Sequence, residues 1–238
     1  MAFPSNRLQE AIAESNMVKM IIQITQKKIE SLIFNPTEYP IKSRVVKIAH
    51  RISEEGRSGI NTNEAYQIYM AVKKTEKISG ALAEVGVSRG GSARIICEAK
   101  GKRPLHLFDT FEGLPDVEQI DSCKYSRGLY SASLKDVTEY LQEYPNVYIY
   151  KGLFPASSTP IQNERFAFVN LDVDLRKSTY DCLEFFYPRM NKAGIIISHD
   201  YVHSPGVMKA FDDFFTDKPE PVIEVAGLYG SQALVIKF

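Results

Sequence analysis

Two short stretches of this 238-residue chain carry residues able to do chemistry together. The first, Phe168-Val169-Asn170-Leu171-Asp172-Val173-Asp174, is an apolar run that ends in two acids. Residues two apart on a strand point to one face, so the spacing predicts that Asp172 and Asp174 share a cleft. The second, Ile195-Ile196-Ile197-Ser198-His199-Asp200-Tyr201, ends in an imidazole and a third carboxylate. Adjacent strand ends would gather three carboxylates and a histidine. Such a donor set suits Mg²⁺ and, through the nitrogen, also admits Mn²⁺, Fe²⁺ or Zn²⁺. A plainer reading stands beside it. In that reading Asp174 caps a helix beginning near Lys177, and His199 is a packed, hydrogen-bonded side chain.

A second group of residues fits a small ligand. Ala83-Glu84-Val85-Gly86-Val87-Ser88-Arg89-Gly90-Gly91-Ser92 follows an apolar run and opens a helical stretch. Gly86 permits a tight turn, and Gly90 and Gly91 let the backbone approach a ligand. Ser92 is placed to cap the helix, whose exposed N–H groups favour a carboxylate. Glu84 would attract a cationic amine. The spacing E-x-G-x-x-x-G suits the amino-acid part of S-adenosylmethionine better than a pyrophosphate. Asp109 ends the run Leu105-His106-Leu107-Phe108, 25 positions after Glu84. An acid about 20 residues on accepts hydrogen bonds from ribose hydroxyls in adenosine-cofactor folds. Here too a bare glycine turn and a turn-capping Asp109 remain open.

The elements that must position these residues alternate. Apolar runs at 81–87, 105–108, 147–150, 166–171 and 195–197 are separated by helical stretches near 91–100, 133–143, 177–190 and 205–216. That pattern predicts βαβ units and a mostly parallel sheet. The runs 222–225 and 233–238 are too close for a crossover helix, which predicts an antiparallel hairpin. Residues 1–80 read as a helical extension and 81–238 as the core. In the extension Ile12, Met17, Met20, Ile21, Ile24 and Leu32 keep a broken helical rhythm. A second helix spans Val45 to Ile52, closed by Gly56, and a third, capped by Thr62 or Asn63, carries Tyr66 and Tyr69 as core residues.

Composition bounds the rest. Lys plus Arg and Asp plus Glu are both 29, so no basic excess points to nucleic acid. Hydrophobic content of 44% and charged content of 24% are those of an ordinary globular protein. Cys97, Cys123 and Cys182 form no metal-ligand spacing, and their odd number argues for a reducing, cytoplasmic setting. No signal peptide and no run of about 20 apolar residues is visible, so no membrane is expected.

Asp109-Thr110-Phe111-Glu112-Gly113-Leu114-Pro115, Asp172-Val173-Asp174-Leu175, Tyr187-Pro188-Arg189 and His199-Asp200-Tyr201, in that order, resemble the macrocin O-methyltransferase family. The resemblance covers roughly residues 80–238 and implies a Rossmann-like class I methyltransferase fold, S-adenosylmethionine and a divalent metal, usually Mg²⁺. Glu84, Gly86, Gly90, Ser92 and Asp109 are the cofactor residues read above, and the resemblance implies that Asp172, His199 and Asp200 hold the metal and that Asp174 is the general base. The acceptor would be a hydroxylated small molecule, a sugar or phenolic natural product, and the extension would build a lid and homo-oligomer contacts. Four residues depart from the family pattern: Val173 stands for a glycine and His199 for an acid, and Lys177 and Arg176 replace the more usual tyrosine and acid, which points to a different substrate. The histidine admits Mn²⁺ or a softer ion. His203 is the fallback base, though an exposed loop histidine is the simpler reading. Arg89 reads as a solvent-facing or salt-bridging residue, and Cys123 has no visible base that would make it a nucleophile. Two competitors remain: a nicotinamide-dependent oxidoreductase, disfavoured by the missing G-x-G-x-x-G, and a methyltransferase-like binding protein without catalysis.

Overall fold

A computed structural model describes residues 37–226 and 231–238. The rhythm from Ile12 to Leu32 therefore lies outside the described residues. Chain contacts divide the protein into two units, Met1–Lys47 and Ile48–Phe238. Helix α1 (Pro40–Glu54) begins in the first and ends in the second, where Gly56 turns the chain as its sequence position predicts. Among the described residues no helix is long and apolar enough to cross a membrane.

The second unit is a seven-stranded sheet of order β3-β2-β1-β4-β5-β7-β6. Strands β1 (Ala81–Val85), β2 (Leu105–Asp109), β3 (Val147–Lys151), β4 (Phe166–Leu171) and β5 (Met190–Ser198) pair in parallel. The ending β6 (Ile223–Ala226) and β7 (Ser231–Ile236) is the expected antiparallel hairpin, with β7 against β5. Helices α2 (Thr62–Lys74), α3 (Gly91–Lys100), α4 (Leu134–Leu141), α5 (Arg176–Phe186) and α6 (Pro205–Phe215) connect or flank the strands. Central strands β1 and β4 are buried at every residue, which is why they read as continuous apolar runs instead of alternating ones. Phe154, Phe166 and Phe186 fill one side, with Phe154 and Phe186 stacked 5.1 Å apart.

Several boundaries differ from the sequence reading, four of them for a clear physical reason. Strand β1 stops at Val85, because Gly86 at φ +88° turns the chain out of the sheet. Strand β5 starts at Met190, and its polar residues Asn191 and Lys192 sit in an irregularity between Phe166↔Met190 and Phe168↔Ile195, hiding it from an apolar search. Helix α5 ends at Phe186, and Pro188 confines the continuation to a 3₁₀ turn, Tyr187–Arg189. Helix α2 is capped by neither Thr62 nor Asn63. Asn61 accepts from the Asn63 and Glu64 N–H groups, and the Glu64 carboxylate accepts from the Asn61 N–H, a reciprocal cap.

The ladder continues one rung past the strand ends. Gly86 N–H donates to the Phe108 carbonyl (2.9 Å), Asp172 N–H to Val85 (2.9 Å) and His199 N–H to Leu171 (2.8 Å). A side chain at Gly86 would collide with the carbonyl of Asp172. Gly101 has an equally left-handed φ of +64° but open space around it. Gly86→Ala should therefore cost about 2–5 kcal/mol from strain plus collision. Gly101→Ala should cost only about 1–2 kcal/mol from strain alone. Urea denaturation of the two variants measures this, and equal losses would refute the collision.

Candidate active site

The order of the strands reverses between β1 and β4, and ligands of open α/β sheets bind outside the carboxyl ends at such a point. A cleft of about 330 Å³ lies there. Its floor is Val85, Gly86, Asp172 and His199, with Ser88, Ser92 and Asp109 on one side and Asp174 and Asp200 on the other.

Asp109 organises the glycine loop. Its Oδ2 accepts from the N–H groups of Val87 (2.8 Å) and Ser88 (2.7 Å), and its Oδ1 accepts from Phe111 N–H (2.6 Å). The turn-capping reading is thus realised. A carboxylate has about four acceptor sites, so the cleft-lining Asp109 keeps capacity for one more donor. Gly90 is the N-cap of α3 at φ +84°, without a side-chain cap. The expectation that Ser92 caps the helix is corrected: it lies inside the first turn, buried, and lines the cleft.

Glu84 lies beneath this loop, fully buried, and neither it nor Gly90 lines the cleft. Its Oε1 accepts from Asn170 Nδ2 (2.7 Å), while Oε2 has no hydrogen-bond partner among the described residues. Burial pushes its carboxyl up to about 8, against the opposing pull of Ser92 and Asn170.

The acids on the other side come together by a different route from the one the sequence suggested. β4 ends at Leu171, so Asp172 and Asp174 do not share a strand face. Asp174 takes a left-handed φ of +61°, a conformation Asp tolerates better than most residues, and so turns back into the cleft. It does not cap α5. The N-cap is Leu175, and the Arg176 N–H is taken by Asp121 Oδ2 (2.9 Å) from the long loop after β2. Burial, then the Asp172 and Asp200 carboxylates, push the Asp174 carboxyl well above the ordinary range.

His199 is set among carboxylates. Nδ1 is 3.1 Å from Asp200 Oδ2 and 3.3 Å from Asp172 Oδ1, and Nε2 is 3.3 Å from Glu64 Oε2. Burial disfavours the charged ring, yet these three carboxylates outweigh it and raise its pKa far above the usual histidine value. Burial likewise opposes ionising Asp200, but His199 and Lys124 hold its carboxyl below the usual range. Asp172, His199 and Asp200 offer one ligand atom each within 4.8 Å of one another. Adjacent donors of an octahedral ion with bonds of 2.0–2.1 Å stand about 3 Å apart, close to the 3.3 and 3.1 Å that separate Nδ1 from Asp172 and Asp200, so these residues can hold a divalent cation.

Three of these participants escaped the sequence reading. Glu64 comes from α2, and only its capping role was visible, in the Asn61-x-x-Glu64 spacing. Tyr130 lines the cleft at φ +66°, and burial and the three aspartates raise its phenol pKa. Tyr125 is buried, and burial raises its phenol pKa, with Ser204 and Asp174 beside it. Neither tyrosine carried a sequence signal, since both stand in a polar loop. Of the lesser candidates, Tyr69 is core and His203 is exposed, Arg89 donates to the Gly56 carbonyl (3.1 Å), and Cys123 is exposed and unpaired.

The profile of the Macrocin-O-methyltransferase (TylF) family matches residues 55–227. The chain belongs to the macrocin O-methyltransferase family. The 8-demethyl-8-(2,3-dimethoxy-alpha-L-rhamnosyl)-tetracenomycin-C 4'-O-methyltransferase of Streptomyces olivaceus is 30% identical over 160 residues, covering 60% of this chain and 61% of that protein. Demethyldecarbamoylnovobiocin O-methyltransferase of Streptomyces niveus is 27% identical over 153 residues, 58% of either chain. The present chain thus aligns with about three fifths of the length of these curated relatives. The solved structure of the O-methyltransferase NovP shares the fold, with a TM-score of 0.66 over 76% of this chain and 82% of that one, at 24% identity.

The buried Glu84 gives the family member a pH signature. The folded carboxyl keeps its proton up to about pH 8, whereas the unfolded chain loses it near 4.5. The folded state binds more protons between these values, so this contribution to stability is complete below pH 4.5 and declines as pH rises through 8. Glu84→Gln, neutral throughout, should lose that slope and gain on the parent above neutrality in urea denaturation at successive pH values. Parallel pH profiles for the two proteins would refute the assignment.

Proposed function

We propose that this chain is a metal-assisted, S-adenosylmethionine-dependent O-methyltransferase acting on a hydroxyl of a sugar or other natural-product acceptor. The observation that carries the reading is the cleft floor. There Gly86, Asp172 and His199 stand side by side, with the Asp109-tied glycine loop to one side and Asp174 and Asp200 to the other. Family membership and the relatives' names, one of them a rhamnosyl 4'-O-methyltransferase, support the acceptor class.

The cleft volume falls within the range of small-molecule sites. Gly86 would leave room for the cofactor, Gly91 and Ser92, in the first turn of α3, would bring helix N–H groups to its carboxylate, and Asp109 would accept from its ribose. Glu84 would tune the loop from below. S-Adenosylmethionine, when bound, supplies an electrophilic methyl group. A divalent ion, when bound to Asp172, His199 and Asp200, supplies Lewis-acid polarisation of the hydroxyl. Asp174 would take the hydroxyl proton. Its raised pKa makes it a stronger base than an ordinary carboxylate once ionised. Tyr130 would stand on the acceptor side, facing the same acids.

A calorimetric titration of S-adenosylmethionine into the full chain, with Mg²⁺, Mn²⁺ or EDTA, should show binding in all three, and NAD should not bind. Binding of NAD but not S-adenosylmethionine would overturn the proposal in favour of an oxidoreductase. Against glycosylated phenolic acceptors, Asp174→Asn should lower turnover roughly 10²–10⁴-fold with cofactor affinity nearly unchanged. Full turnover in that variant would remove Asp174 as the base.

A further inference from the structure

The two nitrogens of His199 face opposite ways. Nδ1 faces the Asp172 and Asp200 carboxylates, and the buried Nε2 lies 3.3 Å from Glu64 Oε2, at ion-pair distance without an aligned hydrogen bond. Glu64 is itself anchored. Its Oε2 accepts from Asn61 N–H (2.9 Å) and its Oε1 from Ser231 N–H (3.2 Å) at the start of β7. The side chain is 5% exposed, so the charge it carries beside the imidazole meets little competition from water. A histidine that ligates a metal through one nitrogen commonly gives its other N–H to a carboxylate, which fixes the tautomer and makes the ligand more basic.

We propose that Glu64 is the positioning residue of the candidate metal site. Its carboxylate, 3.3 Å away, draws the His199 proton to Nε2 by charge, leaves Nδ1 as the metal ligand beside Asp172 and Asp200, and so turns the site from Mg²⁺ towards nitrogen-accepting ions such as Mn²⁺ and Co²⁺. This rests on the metal-assisted reading above. The chemistry follows from the donors. Mg²⁺ favours an all-oxygen shell, whereas imidazole suits later divalent ions, whose affinity rises from Mn²⁺ to Co²⁺. An acid in place of His199 would have no second nitrogen for Glu64 to hold. The histidine and the buried Glu64 therefore work as one device.

The test titrates Mg²⁺, Mn²⁺ and Co²⁺ into the whole 238-residue chain with S-adenosylmethionine present and no acceptor, reading affinity and the Co²⁺ visible spectrum. The parent should prefer Co²⁺ and Mn²⁺ to Mg²⁺. Glu64→Gln should weaken Co²⁺ and Mn²⁺ roughly 10–100-fold. Ser133→Ala removes a helix cap at α4, away from the cleft, and should leave metal affinity unchanged. In a His199→Asp background the preference should revert to Mg²⁺ and Glu64→Gln should have no further effect. A Glu64→Gln affinity equal to the parent's, or the same loss in the His199→Asp background, would overturn the positioning role alone. A parent that binds S-adenosylmethionine but none of the three metals would overturn the metal-assisted reading and this inference with it. Should Glu64→Gln fail to fold, ¹⁵N-imidazole spectra of the parent with Zn²⁺ decide instead. A metal-induced shift on Nδ1 supports the assignment, and one on Nε2 overturns it.

Discussion

Three backbone hydrogen bonds set the geometry on which the cleft depends. Parallel strands end in a row, and the next N–H of each chain segment still finds the carbonyl of its neighbour: Gly86 to Phe108, Asp172 to Val85, His199 to Leu171. These bonds place the first residue beyond β1, β4 and β5 on one line at the carboxyl edge. Each segment then departs in its own direction. The glycine leaves room for the Asp172 carbonyl, and Asp174 and Asp200 turn their backbones through left-handed φ values of +61° and +57°. A rigid ladder thus delivers the residues, and two tolerated aspartate conformations aim their carboxylates.

Crowding acids in a buried cleft carries an electrostatic cost that must be met locally. Asp109 meets it with three backbone N–H donors. Asp200 meets it with His199 and, 3.9 Å away, Lys124. Glu84 finds no cation and shifts towards the neutral form. Asp174, buried and with two like charges for neighbours, shifts the same way. Partners, and not residue type, thus decide that Asp200 is held below the ordinary carboxylate range while Glu84 and Asp174 are pushed above it.

Much of this architecture was legible because buried parallel strands advertise themselves. Phe166–Leu171 could be read to the residue, and the short link before Ala233 could only be a hairpin. The polar start of β5 was illegible, since Asn191 and Lys192 sit in a pairing irregularity. The juxtaposition of Asp172, Asp174, His199 and Asp200 could be inferred because each is a charge directly following an apolar run. The reason first given for Asp172 and Asp174 was mistaken in detail, as strand periodicity ends before either acid. Glu64 could be seen only as a cap, for its approach to His199 joins positions far apart in sequence and depends on where α2 packs. Tyr125 and Tyr130 belong to a loop whose course is set by the Asp121 bond to α5, a tertiary contact with no local pattern.

The terminal hairpin has a consequence beyond closing the sheet. By pairing Ser198 with Ala233, β7 runs alongside the end of β5, so that Ser231, its first residue, lies near the segment carrying His199. From there its N–H reaches Glu64 Oε1, while the N-terminus of α2 holds Oε2 through Asn61. A carboxylate fixed by two backbone donors loses rotamer freedom before it meets a ligand, and so pays less entropy when it orients one. Glu64 is therefore preorganised by two elements remote in sequence, one on each oxygen, with the imidazole as the third corner. The helix preceding the sheet and the hairpin ending it converge on the ring that distinguishes this cleft from an all-aspartate one.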